Sequence, residues 1–363
     1  MTTANATVRW GVIGSGGIAR RRMIPEGIVA AKNCQLAAVY DVAQPVNEAV
    51  ATQFGAVVCR SEAELLARPD VDVVYIATPA HEHCPQVIRA AQAGKHVLCE
   101  KPLGLTVAEG ETMIQTCQEA GVRLGIDFMM RFHAYHQEAR RLIRAGRLGT
   151  PVLGRAQLSC WYPPLPGAWR QDPALGGGGS LMDLGGHCID LLEMMFGPVR
   201  RVSCLTGQVV HNYRSEDTAV VLLDFRNGAK GIVDNLFNVP DSASKNRLEL
   251  YGSRGSILAE NTIGQGEGGQ MICHLSETDG DYQARQDRAT TAGFPLTVPT
   301  VNTYRAQVED FNRAVRTQGE PATNGQLGLW SQQVLLASYE SARTGRAVEL
   351  PDSPGCVEHQ PKP

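Results

Sequence analysis

Asp183, His187 and Asp190 interrupt the apolar stretch "GGGGSLMDLGGHCIDLLEMMFG" (176–197) at helical spacing. Positions three and four apart share one helix face, so this spacing gathers two carboxylates and an imidazole into a single stripe. Three readings are open. An imidazole titrating near neutral pH can take and return the proton of a substrate hydroxyl, with Asp183 one turn earlier to stabilise the imidazolium or bind a neighbouring hydroxyl. Two carboxylates and a histidine can also ligate a divalent ion. The third reading is bland: Asp183 satisfies backbone near the glycines and His187 is a core histidine. The segment offers no second ligand cluster, and the 10 cysteines form neither a CxxC pair nor a Cys/His group with zinc spacing. No metal is therefore expected, and the cysteines read as buried free thiols of a reducing compartment.

A second reactive group stands in "LCEKPLG", where Lys101 follows Glu100 and precedes Pro102 at the end of an apolar run. Proline fixes its own φ and restricts the residue before it, so the lysine is aimed rather than loose. An ammonium beside a hydroxyl favours the alkoxide that must form when the carbinol carbon gives up hydride. Lysine and histidine together therefore suit hydride transfer, in which a cofactor carries the redox chemistry and the protein positions groups and moves the proton.

Such chemistry needs a cofactor site, and the N-terminal elements supply one. Five apolar runs, "VRWGVIG" (8–14), "QLAAVYD" (35–41), "VDVVYIAT" (71–78), "KHVLCE" (95–100) and "VRLGID" (122–127), alternate with helical patterns. Ser61 with Glu64 and Thr106 with Glu109 form capping boxes, and Gly94 and Gly121 stand where helices should stop. Near-continuous apolar strands alternating with helices imply a doubly wound parallel sheet with its ligand at the carboxyl ends of the strands. The first run leads into "GSGGIA", in which Gly14, Gly16 and Ala19 fit G-x-G-x-x-A, with Gly17 and Ile18 in the same phosphate turn. Gly264, Gly266 and Gly269 match the same spacing, but no apolar strand leads into them and they are set aside. The second run ends in Asp41, the acid expected to hold the adenosine ribose, and no Arg or Lys follows it immediately. NAD is therefore favoured over NADP.

Composition narrows the remaining classes. Of 363 residues, 43% are hydrophobic and 20% charged, with a formal net charge of −3. That length suits two domains. The charge gives no electrostatic reason to expect nucleic acid or an anionic membrane as partner. No run reaches the length of a membrane span, and "MTTANATVRW" lacks the order of a signal peptide, so a cytoplasmic protein is expected. After Asp127 the alternation gives way to strand candidates with short turns, beginning with 151–162, which predict an α+β domain with a mainly antiparallel sheet. The expected division is 1–127, 128–350 and a disordered tail over 351–363. The segment from Gly264 to Pro295 reads as a variable excursion.

Taken in order, "GVIGSGGIA", "YIATPAHEH", "EKP" and "GGGGSLMDLGGHCIDLL" resemble the Gfo/Idh/MocA oxidoreductases, which include glucose–fructose oxidoreductase and inositol dehydrogenases. The resemblance extends to "EDTAVVLLDFRNGAKG" and "LELYGSRGSI" and covers the chain to about Leu350. It implies an N-terminal Rossmann domain and an NAD(P)-dependent dehydrogenase of a sugar, cyclitol or similar polyol. By residue matching, Lys101, Asp183 and His187 act at the nicotinamide and substrate, and Thr78, Pro79 and His83 run along the cofactor together with Glu100. It also implies a homodimer or homotetramer. Arg131, His133, Tyr162, Trp169 and Arg170 are the substrate-binding candidates, since aromatic faces pack on sugar C–H surfaces and arginine binds hydroxyls or carboxylates. Asp190 is read as support for His187 or its helix. Two other functions are weighed: a glycosidase that uses NAD for transient oxidation, and a non-catalytic dinucleotide sensor.

Overall fold

The five N-terminal apolar runs pair side by side in one parallel sheet. The protein is described from a computed structural model over residues 6–244, 246–278, 284 and 293–352. Strands β1 (Val8–Ile13), β2 (Cys34–Tyr40), β3 (Val57–Val58), β4 (Val73–Ile76), β5 (His96–Cys99) and β6 (Leu124–Ile126) lie in the order β3-β2-β1-β4-β5-β6. This is the doubly wound arrangement, with the order reversing at β1, where the glycine turn sits. β4 is buried throughout and β1 at every residue but Arg9, because helices cover both faces. Both expected capping serines and threonines do cap: Ser61 accepts from the Glu64 amide, and Thr106 and Glu109 form a reciprocal box. Gly94 and Gly121 take positive φ at helix ends, at +72° and +67°. β3 has only two residues, too few to show a period, and the sequence reading missed it.

The second sheet has nine strands. Its members are β7 (Pro151–Ser159), β8 (Val199–Gly207), β9 (Thr218–Phe225), β10 (Lys230–Leu236), β11 (Arg247–Gly252), β12 (Gly255–Glu260), β13 (Gln270–Leu275), β14 (Phe294–Pro295) and β15 (Val348–Glu349), in the order β14-β13-β12-β11-β7-β10-β9-β8-β15. Every pairing is antiparallel except β7 with β10. The fold is thus α/β overall, a Rossmann sheet followed by an α+β part with a mainly antiparallel sheet. One face of the second sheet packs under the helix Gly186–Phe196. A Cβ on Gly154 would come 2.8 Å from both Leu192 and Phe196, so β7 needs glycine where the helix presses on it. The other face leaves Leu205 and Leu222 more than half exposed. The excursion from Gly264 onward contains β13 and β14, and the rejected glycine triplet lies in the β12–β13 connection, with Gly269 at φ +107° against Asn261. Residues 279–283, 285–292 and 353–363, and with them most of the expected tail, lie outside the described residues.

Contacts divide the chain into two units. The first takes Met1–Phe132, Ala174–Gly177 and Asn302–Gln332; the second takes His133–Pro173, Gly178–Val301 and Gln333–Pro363. Chain order alone put 128–350 into one domain, yet the helix Thr303–Thr317 packs in the first unit. There it buries Tyr304, Val308 and Phe311 and accepts the Trp10 indole N–H on Asn312 Oδ1 at 3.0 Å. Among the described residues, no helix is long and apolar enough to cross a membrane.

Candidate active site

In the first unit the glycine turn is built by close backbone approach. Gly14 has φ +82°, and a Cβ there would lie 2.8 Å from the Ala77 carbonyl carbon, so only glycine fits between β1 and the end of β4. The amides of Gly14 and Ser15 both donate to Tyr40 O, at 2.8 and 3.3 Å. Gly17, at φ +48°, has nothing within 4 Å of where its Cβ would stand, which leaves that stretch of backbone open to a ligand. Asp41 closes the turn: its Oδ2 accepts from the Gly16 amide at 3.0 Å and its Oδ1 from the Ala43 amide at 2.9 Å. Each carboxylate oxygen has a further lone pair, and the side chain is partly exposed, so two ribose hydroxyls can still be bound. An added Cβ at Gly16 would crowd Val46 at 3.2 Å and Asp41 Oδ2 at 3.4 Å. These residues fit a dinucleotide whose ribose carries free hydroxyls. The helix that follows, Ala19–Ile28, runs in π register around Pro25, with the Val29 amide reaching Ile24 O at 2.9 Å.

The loops after β4 and β5 are tied together. His83 is fully buried, and its two ring nitrogens face Pro102 O at 2.8 Å and Thr78 O at 3.0 Å. Burial pushes its pKa down against those two bonds. The sequence suggested a cofactor contact for His83. The structure leaves it no ring nitrogen for one and makes it instead a brace between the Thr78–Pro79 turn and the Lys101–Pro102 turn. The Thr78 hydroxyl is in turn bonded to Gln86. Glu100 points inward, its Oε1 taking the Tyr75 hydroxyl at 2.7 Å and its Oε2 the Lys101 amide at 3.2 Å. Lys101 is partly exposed and its peptide bond to Pro102 is cis. Arg131 lies on the short turn Met129–Phe132, partly exposed, a few residues beyond β6.

In the second unit the glycine run makes room for anchors. The amides of Gly179 and Leu181 donate to Glu216 Oε2 and Oε1, each at 2.9 Å, and the Ser180 amide to Glu216 O at 3.1 Å. The Tyr339 hydroxyl donates to Glu216 Oε1 at 2.8 Å and accepts from the Met182 amide at 3.1 Å. Together they satisfy amides that a helix start leaves without partners. Burial raises the Glu216 carboxyl above its usual range, opposed by these bonds. A Cβ on Gly178 would stand 1.9 Å from the Tyr339 hydroxyl, and one on Gly179 would stand 1.9 Å from Glu216 O. Gly179→Ala must move backbone, so it should cost about 3 kcal/mol or more in urea-denaturation stability and lower turnover as well. Wild-type stability in that variant would contradict the anchoring role.

The segment continues as a π turn, Leu181–Gly185, and the helix Gly186–Phe196. From Leu181 to Leu192 every residue is buried except Asp183 and His187. The stripe therefore splits: Asp190 is 1% exposed and belongs to the core, while its two companions reach outward. A π turn displaces side chains from the regular helical face and recurs at functional sites. Arg170 Nε donates to Asp183 Oδ1 at 2.9 Å, and its guanidinium lies 4.1 Å from the centre of the Trp169 ring. Tyr162 packs on Phe237 with ring centres 4.9 Å apart and interacts with Arg170; burial raises its phenol pKa. Arg170, Trp169, Tyr162 and Asp183 are thus brought into one cluster. His133 is not part of it. It is 2% exposed, Nδ1 accepts from the Tyr135 amide at 3.3 Å as a helix cap, and Nε2 meets Gly268 O at 3.1 Å. Among the described residues, no group of three or more His, Cys, Asp or Glu could hold a metal ion.

Residues 8–128 match the model of an oxidoreductase family with an NAD-binding Rossmann fold, and residues 136–258 match the GFO/IDH/MocA C-terminal domain. The 1,5-anhydro-D-fructose reductase of Ensifer adhaerens is 30% identical over 94% of this chain and 98% of its own length. The chain belongs to the Gfo/Idh/MocA oxidoreductase family. A second relative, the D-xylose 1-dehydrogenase (NADP(+)) 2 of Haloferax volcanii, is 31% identical over 94% of this chain and 99% of its own. Among solved structures, the aldose–aldose oxidoreductase of Caulobacter crescentus superposes with a TM-score of 0.84 at 28% identity, covering 95% of this chain and 100% of the other. The family assignment makes the chain an oxidoreductase with an NAD-binding domain.

Proposed function

We propose that this chain is an NAD-dependent dehydrogenase or reductase that moves hydride between the nicotinamide and a hydroxyl-bearing or keto carbon of a sugar, cyclitol or related polyol. The observation that carries this reading is the exposure pattern of 181–192, where only Asp183 and His187 leave the core. A sensor would have no need to hold those two outward with a braced glycine run. The names of the relatives supply the substrate class: reduction or oxidation of aldoses and an anhydro sugar.

Gly14, Gly16, Gly17, Ile18 and Asp41 hold the dinucleotide, with Thr78 and Pro79 along it and Glu100 and His83 bracing the loops behind. NAD supplies the hydride acceptor, or donor in reverse. His187 takes the hydroxyl proton during oxidation and returns it during reduction. Lys101 stabilises the alkoxide. Asp183, fixed by Arg170, binds a neighbouring hydroxyl or steadies the imidazolium, and Trp169 and Tyr162 offer faces to sugar C–H bonds, with Arg131 a further contact. The exposed Leu205 and Leu222 on the outer face of the second sheet suit a homodimer or homotetramer. The 9 free cysteines among the described residues suit a reducing cytoplasm.

The cofactor choice differs from the one that the Haloferax relative's name states, and the basis is Asp41, whose carboxylate repels a 2′-phosphate. Sugars, inositols and their keto forms should be screened with NAD(H) and NADP(H) by the absorbance of the reduced cofactor. Turnover with NAD is expected to exceed that with NADP, and Asp41→Ala should weaken NAD about tenfold or more. A strong wild-type preference for NADP would overturn the assignment.

A further inference from the structure

Behind Lys101 the first unit buries a second acid that the reaction does not use. Asp127 follows β6, is 2% exposed, and its amide donates to Cys99 O at 2.8 Å. Its carboxyl lies within hydrogen-bonding reach of Glu100, the residue before Lys101. The Tyr75 hydroxyl, fully buried, spans both acids at 2.7 Å from Glu100 Oε1 and 3.1 Å from Asp127 Oδ2. A phenol has one proton and can donate it to one of them at a time. Asp127 Oδ1 is buried, and no described residue donates a hydrogen bond to it. The groups facing the pair are Tyr75 from β4, Cys99 from β5, Lys101 from the loop beyond, and Tyr304 from the helix Thr303–Thr317. Arg22 stands over the Tyr304 ring at 5.3 Å. Two full negative charges in this dry space would repel with a single phenol to serve them.

We propose that Asp127 is a positioning residue: it stays protonated at neutral pH and, as a neutral donor to Glu100, fixes the carboxylate that holds the Lys101 amide. The pair then carries one negative charge and one shared proton. Burial, followed by the charge of Glu100, pushes the Asp127 carboxyl well above the usual range, in the same direction. The role toward Lys101 rests on the proposed dehydrogenase reading; the protonation state does not.

Two variants and one folding measurement test this. Asp127→Asn keeps a neutral donor of the same shape, and its kcat should stay within about threefold of wild type with an unchanged pH profile. Asp127→Ala removes the donor and should lower kcat about tenfold to a hundredfold, with the KM for NAD little changed. Equal loss in both variants, or wild-type turnover in Asp127→Ala, would overturn the positioning role. Urea unfolding of wild type and Asp127→Asn between pH 5 and pH 7 needs no activity. The native wild type keeps a proton that its unfolded chain releases, so its folding constant should fall relative to Asp127→Asn by about tenfold per pH unit. Parallel curves would show an ionised native Asp127 and overturn the protonation state even if Asp127→Ala fails to fold. A flat screen for dehydrogenase activity, with the folding curves diverging as expected, would instead locate the failure in the proposed function.

Discussion

Lys101→Ala should lower kcat about 10²–10³-fold, the range seen when one preorganised donor to a developing oxyanion is removed. As hydride leaves the carbinol carbon, negative charge grows on its oxygen, and an ammonium there is worth more in the transition state than in the ground state. The loss should therefore appear in kcat and kcat/KM together, with a smaller change in the KM for the polyol. Lys101→Arg should not restore wild-type turnover, because a planar fork on a loop braced by Glu100 Oε2 and by His83 through Pro102 O does not place charge where a compact ammonium did. Single-turnover formation of NADH checks both. A kcat within a fewfold of wild type in Lys101→Ala would remove the electrostatic role.

His187→Ala should lower turnover about 10²–10⁴-fold, the span of general acid–base contributions, while NAD binding by fluorescence titration stays near wild type. The sign with pH follows from the role. In oxidation the imidazole must be neutral to accept the proton, so kcat rises with pH as His187 loses its proton. In reduction the dependence reverses. His187→Ala should lose that limb in both directions. An unchanged limb would assign the proton to another group, with Lys101 the next candidate.

Much of this was legible in the residues. The parallel strands announced themselves as continuous apolar runs, and the turn chemistry of Gly14 and Asp41 could be placed because a strand led into one and ended in the other. The stripe was half legible. Helical spacing put Asp183, His187 and Asp190 on one face, but the π turn at Leu181–Gly185 breaks that regularity and the core claims Asp190. His83 is singled out by the resemblance and His133 by its place just after the fifth strand, and the ring nitrogens of both meet backbone groups, a use that neither signal reveals. Glu216 was missed because its partners, Gly179 and Leu181, are remote in the chain, and nothing in its own neighbourhood signals a helix anchor. The helix Thr303–Thr317 falls within 128–350 by chain order, and its packing on Trp10 in the first unit is a contact across most of the chain that chain order does not show.

The most direct test of the central claim uses a substrate found in the screen and deuterated at the reacting carbon. The NADH formed is isolated and its nicotinamide examined by mass spectrometry. The account predicts that the label moves intact to the nicotinamide ring, with a primary isotope effect on single-turnover NADH formation. Unlabelled NADH, or label released to water, would contradict direct hydride transfer from the polyol carbon and with it the roles given to Lys101 and His187.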